Sequence, residues 1–166
     1  MAEETRIEHP NRDKAGSKAV KAVLVLLMLV TAALVLIITV GGWSVLQGAQ
    51  IVALFYILLY VIMAIYVARW NRGLLPVAAA LSVLLAVVAG VAAPGWFARS
   101  KEGFQDPALP PDLLGMLTII LIPVSIVLVI FAMRGFAQKW NVEVETHNDG
   151  YDGYDEYERG PAPAGA

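Results

Sequence analysis

Residues 22–68 decide the fold, and they read AVLVLLMLVTAALVLIITVGGWSVLQGAQIVALFYILLYVIMAIYVA without one charged side chain. The stretch is more than twice as long as the roughly 20 apolar residues that cross a bilayer once. It is interrupted in the middle by the small and polar segments 41–44 (GGWS) and 47–50 (QGAQ), which favour a turn. The sequence therefore predicts two membrane-spanning helices joined at the membrane surface.

Two further apolar runs complete the predicted membrane part, so that the spans are expected at 22–40, 51–68, 74–93 and 113–133. Helices are expected because lipid offers no partner to an open sheet edge, and the runs lack the alternation of a membrane barrel. The composition agrees, with 58% apolar and only 16% charged residues. We predict an all-α integral membrane protein, a four-helix bundle with up-down-up-down topology.

The basic residues near the predicted spans are unevenly distributed. One side of the membrane would receive Arg6, Arg12, Lys14, Lys18, Lys21, Arg69, Arg72, Arg134 and Lys139. The other side would receive only Arg99 and Lys101, both in the loop between spans three and four. Because basic residues close to a span are retained on the cytoplasmic side, both termini are predicted to be cytoplasmic.

Two polar regions flank the predicted membrane domain of residues 22–133. Residues 1–21 mix basic and acidic side chains and predict a solvated cytoplasmic arm. Residues 134–166 become acidic and rich in tyrosine, with Tyr151, Tyr154 and Tyr157 among carboxylates. Such a composition cannot bury a core, so we predict a disordered cytoplasmic tail.

The tryptophans mark the predicted span ends. One follows the C-terminal end of each span, namely Trp43, Trp70, Trp96 and Trp140. Because Trp prefers the boundary between headgroups and hydrocarbon, these four residues are predicted to be interface anchors.

No Asp, Glu, Lys, Arg or His lies within the predicted spans. Chemistry and proton movement inside a bilayer nearly always need such a group. The chain has no Cys, and its two histidines, His9 and His147, lie outside the spans. We therefore expect neither an enzyme, a metal site nor a bound cofactor, and the net charge of −2 gives no case for nucleic acid.

Small residues in the third span recur at four-residue steps, at Ala78, Ser82, Ala86 and Gly90. Small side chains let two helix backbones approach closely. These positions predict a helix-packing seam, with span three at the centre of the bundle. Spans one and four, which are branched and apolar around most of their circumference, are expected to face lipid or a partner.

Four uncharged polar residues form a weaker candidate site. Gln47, Gln50, Tyr56 and Tyr60 could line a groove for a hydrophobic ligand with a polar head, such as a quinone or a lipid. The interpretation we favour is ordinary hydrogen bonding between helices, because interhelical bonds of this kind stabilise membrane bundles modestly.

The function that these observations favour is a non-catalytic accessory or assembly subunit of a larger membrane complex, with respiratory complexes as one candidate. Its partners would be the lipid bilayer and either another membrane protein or further copies of the chain. The alternative is a transport element, either an oligomeric channel or the membrane component of a transporter. The abundance of Ala, Val, Leu and Gly favours the bacterial cytoplasmic membrane.

Overall fold

The structure, a computed structural model, describes residues 6–99 and 107–146. Within these residues, four helices are long and apolar enough to cross a membrane. They are α2 (Ala15–Gly41), α3 (Ala49–Ala68), α4 (Leu75–Ala98) and α5 (Pro111–Ala137). A short helix, α1 (Pro10–Asp13), precedes them. The acidic segment predicted after residue 146 lies outside the described residues.

The helices extend beyond the predicted spans at most of their ends. α2 begins at Ala15, where we expected the span at residue 22, and α5 continues to Ala137 rather than ending at residue 133. The charge-free run marks the part of a helix that lipid can surround, whereas the backbone hydrogen bonds continue until a cap or turn stops them. Buried Ser17 and Val20 show that the added turns of α2 also pack.

α2 and α5 form the centre of the bundle. α2 packs against both α3 and α5, α4 packs mainly against α5, and α3 and α4 have few contacts with each other. This corrects the expectation that span three is central and that spans one and four lie outside. Small residues allow α4 to approach a neighbour closely, but they do not set how many neighbours a helix has.

The bundle has two different ends. We call the end with the α2–α3 turn and the start of α5 the loop end, and the opposite end, with the described N- and C-terminal segments, the terminal end. At the loop end, Leu109 N–H donates to Gly41 O at 3.1 Å. The turn requires glycine at position 42, because a Cβ there would clash with the ring of Trp96.

The described part of the N-terminal arm docks at the terminal end, where a solvated segment was predicted. Two three-residue strands pair antiparallel there, β1 (Arg6–Glu8) and β2 (Val144–Thr146). Arg12 Nε donates to Trp140 O at 3.0 Å, and Asn11 Nδ2 donates to Lys139 O at 3.1 Å. Composition identifies the polarity of such a segment but not a partner more than 100 residues away.

Two further cations join the helices at the terminal end. Lys21 Nζ donates to Ala68 O at 3.3 Å and lies 4.0 Å from the ring centre of Trp70. Arg72 Nε donates to Phe136 O at 2.7 Å, and its guanidinium stacks 4.1 Å from the Phe136 ring centre. Both accepting carbonyls lie in the last turn of a helix, where backbone oxygens lack a partner within the helix.

Candidate functional site

A crevice of about 360 Å³ opens between α3 and α4 in the half of the bundle nearest the loop end. Its walls are largely apolar, with Ala49, Val52 and Ala53 on α3 and Val88, Ala92 and Gly95 on α4. Val35 and Ile38 of α2 and Leu121 of α5 also line it. Its volume lies within the range of roughly 300–1,000 Å³ that small-molecule sites occupy.

The crevice exists because small residues line two helices that do not pack closely. Ala49 and Ala53 lie on one wall, and Ala92 and Gly95 lie on the other. α3 packs mainly on α2 and α4 mainly on α5. The small side chains at these four positions leave space between the two helices.

Tyr56 supplies a polar group inside the crevice. Its hydroxyl oxygen is buried and has no hydrogen-bond partner among the described residues. The two threonines in the lining satisfy themselves, since Thr39 Oγ1 donates to Val35 O at 2.6 Å and Thr118 Oγ1 donates to Leu114 O at 2.7 Å. Among the described residues that line the crevice, Tyr56 is therefore the one whose hydroxyl lacks a partner, and that oxygen is covered by neighbouring atoms.

Tyr60, one turn further along α3, has a different role. Its hydroxyl lies 2.9 Å from Ser82 Oγ on α4, and Ser82 Oγ donates to Ala78 O at 2.7 Å. Because the Ser82 proton is used in that bond, the Tyr60 hydroxyl is the donor to Ser82. This buried bond joins α3 to α4 on the side of the crevice nearer the terminal end. The rings of Tyr56 and Tyr60 are tilted by 38° to each other, with their centres 6.2 Å apart.

The two glutamines of the predicted groove do not line the crevice. Gln50 is engaged in the α2–α3 turn, where its Nε2 donates to Trp43 O at 2.9 Å and its Oε1 accepts from Gly48 N–H. Gln47 lies in the same turn with a left-handed backbone, φ 43°. Of the four predicted groove residues, the structure thus places Tyr56 in the lining and Tyr60 beneath it.

Arg99 lies at the mouth of the crevice and was not predicted as part of it. It follows the last residue of α4, so it was assigned to the connecting loop. Its spacing from Ala89, Ala92 and Trp96 keeps it on the same helix face. That periodicity, continued past Pro94 to the end of α4, is the signal that could have identified it.

The buried face of α4 matches the predicted seam at its first two positions but not at its last. Ala78 and Ser82 are buried, Ala86 is half-buried, and Gly90 is exposed with open space around it. A four-residue step exceeds one turn by about 40°, so three steps rotate about 120° away from the starting face. Ala89 and Ala93 take the buried positions where the sequence pattern indicated Gly90.

The four tryptophans divide by burial. Trp43 in the turn is 51% exposed. Trp96 lies within α4 and is buried, and Trp140 is fully buried. Trp140 packs edge-to-face on Trp70 with ring centres 5.4 Å apart and donates from Nε1 to Gln138 Oε1. Trp96 and Trp140 therefore pack within the protein.

The four apolar helices fit a helical multi-pass membrane protein. No protein-family model matches the chain, and no curated protein or solved structure matches it. Its function is therefore argued from the geometry alone. Among the described residues, that geometry is an apolar crevice lined by one tyrosine with an unpartnered hydroxyl and by one arginine, and such a site can bind an amphiphile.

Proposed function

We propose that the protein is a non-catalytic membrane subunit that assembles with another membrane protein or with further copies of itself. The observation that carries this proposal is the position of α3 at the side of the bundle. It buries 22% of its apolar stretch, compared with 33–39% in the other three helices. α3 packs mainly against α2.

The outward face of α3 is the proposed contact surface. Phe55 and Leu58 are 58% and 55% exposed, and Ile62 continues the same face. Lipid and apolar side chains are similar solvents for such residues, so association in a bilayer depends on shape and close packing. Because α3 contacts the bundle mainly along one side, it has more surface available for such packing than the other three helices. Respiratory complexes remain one candidate assembly.

The absence of ionisable side chains from 22–68, 74–98 and 113–133 supports the non-catalytic part of the proposal. The transport alternative gains less support from the crevice. Its lining lies in the loop half of the bundle, and the Tyr60–Ser82 bond joins the two helices beneath it. A transport path through a single copy of the chain, between α3 and α4, would require the Tyr60–Ser82 bond to open.

We also propose that the terminal end faces the cytoplasm of a bacterium and that the loop end faces outward. The distribution of basic residues supports this orientation. Reporter domains fused at the C-terminus and inserted after Gln47 test it. Cytoplasmic activity of the first and external activity of the second are expected, and the reverse pattern would refute the orientation.

Photo-crosslinking in intact membranes tests the assembly. Crosslinkers at Phe55 and Leu58 should form adducts with one membrane protein, which copurifies with the chain in mild detergent, or with a second copy. Crosslinkers at Val91 of α4 and Ile130 of α5 are matched controls, because both residues are apolar and exposed. Adducts at the controls alone, or a chain that elutes alone at every detergent strength, would refute the proposal.

A further inference from the structure

We propose that the α3–α4 crevice binds one glycerophospholipid from the leaflet at the loop end. In this arrangement Arg99 binds the phosphate and one acyl chain occupies the apolar interior. The Tyr56 side chain rotates to bring its buried hydroxyl to an ester carbonyl. The site lies on the inner side of α3, so it does not depend on whether a partner covers the outward face.

The interior of the crevice favours a hydrocarbon chain over water. A buried water needs two to four polar partners. The lining threonines are already bonded to their own helices, and the one unpartnered hydroxyl among the described lining residues, that of Tyr56, is covered by neighbouring atoms. An acyl chain needs no such partners and fills the space between Val52, Val88 and Leu121 with dispersion contacts.

Tyr56 is placed to meet the glycerol region of a lipid. It lies seven residues after Ala49, the first residue of α3, which corresponds to a depth of about 10 Å from the loop end. Long side chains on a helix point back toward its N-terminus, so the hydroxyl lies nearer the surface than the Tyr56 backbone. A buried hydroxyl without a partner is costly, and an ester carbonyl would supply the missing acceptor.

Arg99 supplies the charge complementarity. A guanidinium forms paired, charge-assisted hydrogen bonds with phosphate oxygens. Arg99 lies at the mouth of the crevice, at the end of a membrane-spanning helix, where lipid phosphates are found. Among the described residues that line the crevice, Arg99 alone carries a charge.

The shape of the crevice excludes a partner helix as its occupant. The Tyr60–Ser82 bond holds α3 and α4 in side-chain contact below it. A helix with its side chains is about 10–12 Å across, which is too wide for a gap that closes within a few turns. A single acyl chain can follow the gap as it narrows.

Native mass spectrometry of the full chain in mild detergent tests the site, with palmitoyl-oleoyl-phosphatidylglycerol as the added probe. The wild type should retain one lipid. Arg99→Gln should raise the apparent Kd about tenfold, since a hydrogen bond to a charged group is lost. Arg134→Gln, which removes an exposed arginine at the terminal end, should leave the Kd unchanged.

Two further pairs of variants separate the crevice from general lipid adhesion. Tyr56→Phe should raise the Kd about fivefold, whereas Tyr66→Phe, on the exposed part of α3, should not. Ala92→Phe fills the crevice and should abolish retention. Ala80→Phe adds the same bulk to an exposed position of α4 outside the crevice and should preserve it. Thermal unfolding of each variant identifies those that fail to fold.

Three results would overturn the proposal. One is a lipid occupancy that falls equally in Arg99→Gln and Arg134→Gln. Another is retention of lipid by a folded Ala92→Phe variant. The third is preferential binding of an isoprenoid benzoquinone that depends on Tyr56 but not on Arg99, which would assign the crevice to a different ligand.

Discussion

The two ends of this bundle are held together by different interactions. At the terminal end, Arg12, Lys21 and Arg72 each donate to a backbone carbonyl of a distant segment. At the loop end the described packing is mainly apolar, as where Trp96 lies against Gly42, and a crevice remains between α3 and α4. Basic residues that flank membrane-spanning helices can therefore also stabilise the bundle.

The largest difference between the ends is expected from their tryptophans. Trp140→Ala should lower the free energy of unfolding by about 3–5 kcal/mol, because a fully buried indole leaves a large cavity. Trp43→Ala at the loop end should cost less than about 1 kcal/mol, since its side chain is half exposed. Denaturant unfolding in detergent micelles measures both, and equal losses would contradict the contrast between the ends.

A smaller effect is expected for the arginines after α3. Arg72→Gln should lower the free energy of unfolding by about 1–2 kcal/mol, because it loses bonds to Phe136 O and Asn141 Oδ1, both of which are exposed to solvent. It should also speed amide exchange in residues 137–142. Arg69→Gln removes the same charge from an exposed side chain. An equal change in both variants would show that charge, rather than these contacts, stabilises the terminal end.

The four helices were predictable because lipid imposes a simple rule on the chain. A charge-free run of about 20 residues has few stable alternatives to a membrane-spanning helix. The contacts at the terminal end follow no such rule. Arg12 binds Trp140 O because the bundle brings two remote segments together, and nothing local to either residue specifies the pairing. Helix order within the bundle was likewise set by tertiary packing.

The candidate site was predictable only in part. Tyr56 was identified because a tyrosine deep within a span is unusual. Gln47 and Gln50 were included for their polarity, but Gln50 satisfies its side chain within its own turn and neither residue reaches the crevice. Arg99 was missed because the predicted span ended at residue 93, whereas α4 continues to Ala98.

The bond beneath the crevice provides a third test. Tyr60→Phe should lower the free energy of unfolding by about 1 kcal/mol or less, because Ser82 keeps its bond to Ala78 O and loses only the interhelical partner. Tyr66→Phe is the control, since its side chain is 48% exposed. Unfolding in micelles again provides the measurement. A loss above about 3 kcal/mol would mean that this bond, and not only the packing of α4 against α5, holds α4 to the bundle.

The smallest effect is expected at Gly90, where sequence spacing and structure disagree. A side chain added there meets open space, so Gly90→Leu should change the free energy of unfolding by no more than about 0.5 kcal/mol. Gly115→Leu, in contrast, would drive a side chain into the ring of Phe97 and should destabilise the α4–α5 contact.

If Gly90→Leu unfolds the isolated chain, the packed face of α4 follows the four-residue series after all. If it leaves the chain folded but abolishes crosslinking to a partner, the outward face of α4 belongs to the assembly interface, and the contact surface is larger than α3 alone.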